Sequence, residues 1–237
     1  VLLLALDSAD STCSVALWDS ARPAPAALLG HRQLAASRGQ ADHLIALIDD
    51  LMRALGLEYP SLDLIAVNHG PGSFTGVRSA VAAARGLSLA AGLPVLAVGS
   101  LEALAMAVPD GSGTLLAALD ARRGQVYVQA FDRLRRPQSA PVLQTPRQTV
   151  AELTAGPLRL VGSGAGLIRA ELPADWPVVT LNAKLDARWV AKRAAARLVS
   201  GETPQDGGTP HPLYLRPPDA RPQMPLVAPA RAHAFEA

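Results

Sequence analysis

At 237 residues, 49% of them hydrophobic, the chain is long enough to bury a substantial core in a single domain or in two lobes. Its formal charge is only +2, and its densest basic run, Arg133 to Arg136, reads as a solvated loop, which excludes a strongly basic nucleic-acid binder; a pI near 9 still admits some attraction to RNA or to an acidic partner. Cys13 is the only cysteine, which excludes an intrachain disulfide and points to a reducing compartment.

The apolar start at 1–6 is too short for a signal peptide and is interrupted by Asp7. No window has the length to cross a membrane, so the expected location is the cytoplasm. Strands are predicted at 2–6, at 13–18 and near 28–34, followed by a helix over about 42–55. A short buried strand at 64–68 leads through a glycine-rich loop into a helix of small residues at 77–91; a strand at 95–98 and a helix opening at Ser100 follow. Early antiparallel strands followed by strand-helix units imply an α/β fold, with a mixed sheet covered by helices. A second region carries strands at 115–119 and 125–131 and a weaker one at 158–161, before Gly162-Ser-Gly-Ala-Gly166, which reads as an ordinary turn. The helix at 186–198 is expected to return and close the first lobe. The expected division is therefore a first lobe at 1–104 completed by 186–200, a smaller lobe at 105–185, and a Pro-rich tail at 201–237 with an ordered patch at 212–216.

The chemistry concentrates in Gly70-Pro-Gly-Ser-Phe-Thr-Gly-Val-Arg78, at the carboxyl end of a strand and the amino end of a helix. Exposed amides there can hold an anion, with Gly70, Gly72 and Gly76 permitting close approach. Ser73 or Thr75 can cap the helix, and Arg78 can face a phosphate or carboxylate. The loop is neither a P-loop nor a dinucleotide fingerprint, and its glycines are equally explained by strand-turn-helix packing. Asp7 and Ser8 end the first strand beside Asp10, Ser11 and Thr12; they form either a phosphate site or an Asx-type turn. His31, His43, His69, His211 and His233 are scattered without metal-ligand spacing; His69, just before the loop, is the best placed for a ligand.

Four segments resemble the TsaB (YeaZ-like) family: Leu4-Ala-Leu-Asp-Ser8 with Cys13-Ser-Val-Ala-Leu-Trp18, the glycine loop to Arg78, Asp120-Ala-Arg-Arg-Gly-Gln-Val-Tyr127, and Pro212-Leu-Tyr-Leu-Arg216. The resemblance runs over almost the whole chain and implies a two-lobed actin-like ATPase (ribonuclease H-like) fold. It implies a non-catalytic subunit that supports N6-threonylcarbamoylation of the adenosine next to the anticodon in tRNAs reading codons beginning with A. Catalysis and metal would then belong to the partner TsaD, the ATPase TsaE would join the complex, and tRNA would be met only through the complex. In TsaD and its peptidase-named relatives two metal-binding histidines follow the matching loop; here Ser100 and Leu104 stand at those positions and cannot replace them.

In the family, the two helices after the third and fourth strands bundle with those of TsaD, or with a second copy. That surface is expected here at Ile45, Ile48, Leu51, Val81, Ala84 and Leu87. Where relatives carry a Glu-His-Thr-like stretch before the first helix, this chain has Gly39-Gln40-Ala41. No cofactor is expected to be held tightly, with ATP or ADP admitted in the complex at Asp7, Ser8, Gly70, Gly72, Ser73, Thr75, Gly76 and Arg78. The alternative is an independent actin-like kinase or ATPase using Asp7 and the glycine loop.

Overall fold

A computed structural model describes residues 1–35, 40–202, 204 and 210–216, without the side chains of 40–42. Gly39, the side chains of Gln40 and Ala41, and the tail past Arg216 lie outside what is described. Five strands form the first sheet: β1 (Leu2–Asp7), β2 (Thr12–Asp19), β3 (Leu28–Ala35), β4 (Leu64–Asn68) and β5 (Val95–Val98). Their order is β3-β2-β1-β4-β5, with β1 antiparallel to β2, β2 to β3, and β1, β4 and β5 parallel. The second sheet holds β6 (Thr114–Asp120), β7 (Val126–Phe131), β8 (Val142–Gln144), β9 (Leu158–Val161) and β10 (Val178–Leu181), in the order β10-β9-β6-β7-β8. Read from its far edge, this is the same plan: an antiparallel meander of three strands, then two strands parallel to the first.

Both faces of the first sheet are covered, which is why β1 is almost wholly apolar instead of alternating. Helices α1 (Gln40–Ala54) and α2 (Phe74–Ala91) lie side by side on one face. Leu44, Ile48, Leu51 and Met52 recur at helical spacing along α1 and are all buried. Gly30 of β3 lets α1 settle close, since a Cβ there would meet Leu51 at 2.8 Å. Gly76, Val77, Ala80, Val81 and Ala84 form the buried stripe of α2, whose end is marked by Gly92 in the left-handed conformation (φ 68°). On the opposite face lies α6 (Ala187–Val199), with Ala187, Val190, Ala191, Ala194 and Ala195 buried; its first amide donates to the Ser14 hydroxyl of β2 at 2.9 Å.

Between the sheets, α3 (Ser100–Met106) packs against β6, β7 and α6, with Arg193 of α6 paired to Glu102 at 2.9 Å. Strand β6 alternates accordingly. Leu115, Ala117 and Leu119 join the first core, while Leu116 and Ala118 join a second core under α5 (Ala165–Glu171), against which α4 (Pro146–Ala151) packs.

Strands β8 and β10 and helix α4 were not predicted, and two predicted features differ. The 162–166 stretch is not a plain turn, because Gly164 is the N-cap of α5; Gly162 (φ 101°) passes so close to β6 that a Cβ would sit 2.3 Å from the Ala118 carbonyl oxygen. Helix α2 opens at Phe74, three residues early, because Ser73 is its cap. Among the described residues no helix is long and apolar enough to cross a membrane.

Candidate functional site

The glycine loop is fastened to the first turn of the chain. Ser73 N donates to the Ala9 carbonyl at 2.7 Å, and Gly72 passes so close that a Cβ would stand 2.4 Å from that same oxygen. The Ser73 hydroxyl accepts from Gly76 N at 3.3 Å, and the Ser8 hydroxyl donates to the Gly76 carbonyl at 2.7 Å. These groups are therefore spent on holding strand, turn and helix together, which is the packing role the sequence left open.

Beneath the loop lies a buried polar chain. The Ser100 hydroxyl donates to Asn68 Oδ1 at 2.7 Å, Gly70 N donates to the same oxygen at 3.0 Å, and Asn68 Nδ2 donates to Asp7 Oδ1 at 2.7 Å. Ala9 N adds a bond to that Asp7 oxygen at 3.1 Å, while Asp7 Oδ2 has no hydrogen-bond partner among the described residues. Burial pushes the Asp7 carboxyl up to about 6, only partly offset by the bonds from Ala9 and Asn68. Asp186, the N-cap of α6, goes the other way. Burial opposes its charge, but His31, whose Nε2 lies 3.1 Å from Oδ1, and hydrogen bonds from Arg188 outweigh that and hold it at about 2. Burial also raises the Cys13 thiol to about 11, as suits a packed side chain and not a nucleophile.

Above the loop the two halves of the molecule enclose a cavity of about 750 Å³. Of the residues singled out from sequence, Asp10, Gly72, Ser73 and Arg78 line it; Asp7, Ser8, Gly70 and Gly76 are buried and do not line it, and Thr75 is on the exposed first turn of α2. The Arg78 guanidinium stacks 3.8 Å over the Phe74 ring and donates to the Tyr214 hydroxyl at 2.7 Å. His69 does not face the cavity as a ligand contact. Its Nδ1 lies 3.1 Å from the His211 carbonyl oxygen, and burial lowers its proton affinity.

Sequence reasoning missed the other walls, supplied by the hairpin at 120–127 and by 210–216. The latter segment is tied down by Leu213 N donating to the His69 carbonyl at 2.7 Å and by Arg85 donating to the Pro210 carbonyl. The signal was present in 120–127, with Arg122, Arg123 and Tyr127, and in 212–216, with Tyr214 and Arg216.

The expected helix surface needs correction. Ile48, Leu51 and Ala84 are fully buried and Val81 nearly so, all against the chain's own sheet, because each helix carries one apolar stripe and spends it on the core. Leu87 is half-buried against the same core. Ile45, at 42% exposure, is the residue of the six that stands on the open side, and Leu89 of α2 is 89% exposed.

Two sheets of the same plan, each a three-strand meander extended by parallel strands and covered by helices, with a cavity between them, define an actin-like ATPase fold of the α/β class. The family model of TsaD, tRNA N6-adenosine threonylcarbamoyltransferase, matches residues 34–142. The TsaB protein of tRNA threonylcarbamoyladenosine biosynthesis from Escherichia coli is 35% identical over 133 residues, 55% of each chain. An uncharacterized protein of Mycobacterium tuberculosis is 30% identical over 198 residues, covering 82% of this chain and 83% of its own. The solved structure of YeaZ from Pseudomonas aeruginosa superposes with a TM-score of 0.76 at 29% identity, over 90% of this chain and 99% of that one. The chain belongs to the TsaB (YeaZ-like) family. Its match spans about half the length of the curated TsaB relative from E. coli.

Proposed function

We propose that the chain is a non-catalytic subunit that binds TsaD and supports threonylcarbamoylation of the adenosine beside the anticodon. The observation that carries this reading is the fate of the two positions where the TsaD resemblance places metal-binding histidines. The Ser100 hydroxyl is buried and committed to Asn68, and Leu104 is fully buried in the core. Neither side chain can offer a metal an imidazole lone pair. The candidate phosphate loop supports the same reading, since the Ser73 and Gly76 amides at the start of α2 are both used internally. That weighs against the alternative of an independent kinase or ATPase.

A surface around Ile45 and Leu89 is the proposed contact with TsaD, or with a second copy when the chain is alone; TsaE completes the assembly and brings the nucleotide. The test is reconstitution with metal-loaded TsaD, TsaE, ATP and preformed threonylcarbamoyl adenylate. Modified tRNA should form with this chain present and fall at least tenfold when it is omitted. Full activity without it, or phosphate release by this chain alone at a rate matching tRNA modification, would overturn the reading.

A further inference from the structure

Three segments far apart in the sequence meet at the mouth of the cavity, and each brings one arginine and one aromatic ring: Phe74 and Arg78, Arg122 and Tyr127, Tyr214 and Arg216. They are bonded to one another. Arg78 donates to Tyr214 as described, and Arg216 Nη2 donates to Gln125 Oε1 at 2.9 Å, with the Arg122 carbonyl 3.5 Å away. The Phe74 and Tyr214 rings are 5.4 Å apart at their centroids and tilted by 33°, yet remain 54% and 45% exposed. An aromatic pair left half open to water offers further faces for stacking.

The hairpin between β6 and β7 sharpens the pattern. Arg122 and Arg123 both take left-handed backbone conformations (φ 62° and 56°), where glycine or asparagine is the unstrained choice. The strained turn projects the Arg122 side chain, 85% exposed, at the rim, where it lies 3.3 Å from Asp120. The lining includes the apolar Leu119 and Leu185 and the carboxylates of Asp10 and Asp120, the latter accepting from Arg122 N at 2.7 Å, and negative charge there is unsuited to phosphate. Cationic and aromatic groups thus stand together at the mouth, with apolar ones within. Two of the amides at the foot of α2, those of Ser73 and Gly76, are already taken by Ala9 and by the Ser73 hydroxyl.

We propose that this rim binds unpaired RNA, with one nucleobase entering the cavity beside the Phe74–Tyr214 pair and the flanking phosphates on Arg122 and its neighbouring rim arginines. The inference rests on the tRNA-linked reading above and gives this chain its own contact with the nucleic acid. A free nucleotide shares the chemistry, but the outward arginines fit a strand that continues past the cavity.

Fluorescence anisotropy of a labelled, unpaired RNA of about ten nucleotides with the chain alone, titrated between roughly 50 and 200 mM salt, tests it. Binding should weaken with salt. Arg122→Gln, on an exposed side chain, should reduce the slope of log affinity against log salt by about 0.7, and Phe74→Ala should weaken binding about tenfold. Absence of binding, or both variants binding like the native chain, would overturn the proposal. Equal affinity for duplex RNA would rule out base entry, and displacement by an equal nucleotide concentration of AMP would reassign the cavity to a free nucleotide. If TsaD still binds while RNA does not, this inference alone fails.

Discussion

Asp7 carries the largest electrostatic penalty described in the core. Its carboxyl is fully buried, one oxygen has no partner among the described residues, and burial raises it to about 6 from an ordinary value near 4. The linkage sign follows. Below about pH 4 both the folded and the unfolded chain hold the Asp7 proton, and this carboxyl costs the fold nothing. As pH rises through 6 the unfolded chain ionises first, and about 3 kcal/mol is lost. Asp7→Asn removes the ionisation, so urea denaturation at several pH values should show the variant gaining on the native chain between pH 4 and 7. His69, pushed down by burial, favours folding as pH rises, but it is common to both proteins. Parallel pH profiles would show that Asp7 is not the buried acid described. Such a cost was invisible in the sequence, where Asp7 read equally as a turn residue. What decides it is the depth of β1 and the approach of Asn68, 61 residues away.

Among the elements, α2 and the loop before it are where sequence and structure agree most and where their disagreements teach most. The loop, the Ser73 cap and the small-residue face were legible because glycine and helix-cap chemistry is local. Strands β8 and β10 went unread because they are short edge strands with mostly half-exposed side chains. Helix α5 was hidden by glycines that look like a turn until the packing against β6 is known. The cavity wall at 210–216 was illegible for a different reason, since Arg78 and Tyr214 are separated by 136 positions and only the closed fold joins them. Two substitutions read the packing of this element. Gly72→Ala must force a Cβ against the Ala9 carbonyl and should cost about 2 kcal/mol or more. Gly86→Ala, in the exposed part of α2 with nothing near its Cβ, should gain about 0.5–1 kcal/mol. Thermal unfolding of the pair measures both, and similar melting temperatures would contradict the close approach of loop and turn.

At the scale of the whole molecule, two copies of one sheet plan share a continuous core through α3 and α6, which fixes the cavity between them. The plan of the first sheet was readable as early antiparallel strands followed by strand-helix units, whereas its repetition in the second sheet was not, since β8 and β10 went unread. The helix surface was not, because burial against the chain's own sheet and burial against a partner leave the same apolar periodicity; only the exposure of Ile45 and Leu89 separates them. Light scattering of the chain mixed with TsaD at equal concentration, without nucleotide, tests the central claim most directly. The predicted result is a one-to-one complex, lost in Ile45→Glu while that variant keeps its native circular dichroism; the masses of two free proteins, or a complex indifferent to Ile45→Glu, would contradict it.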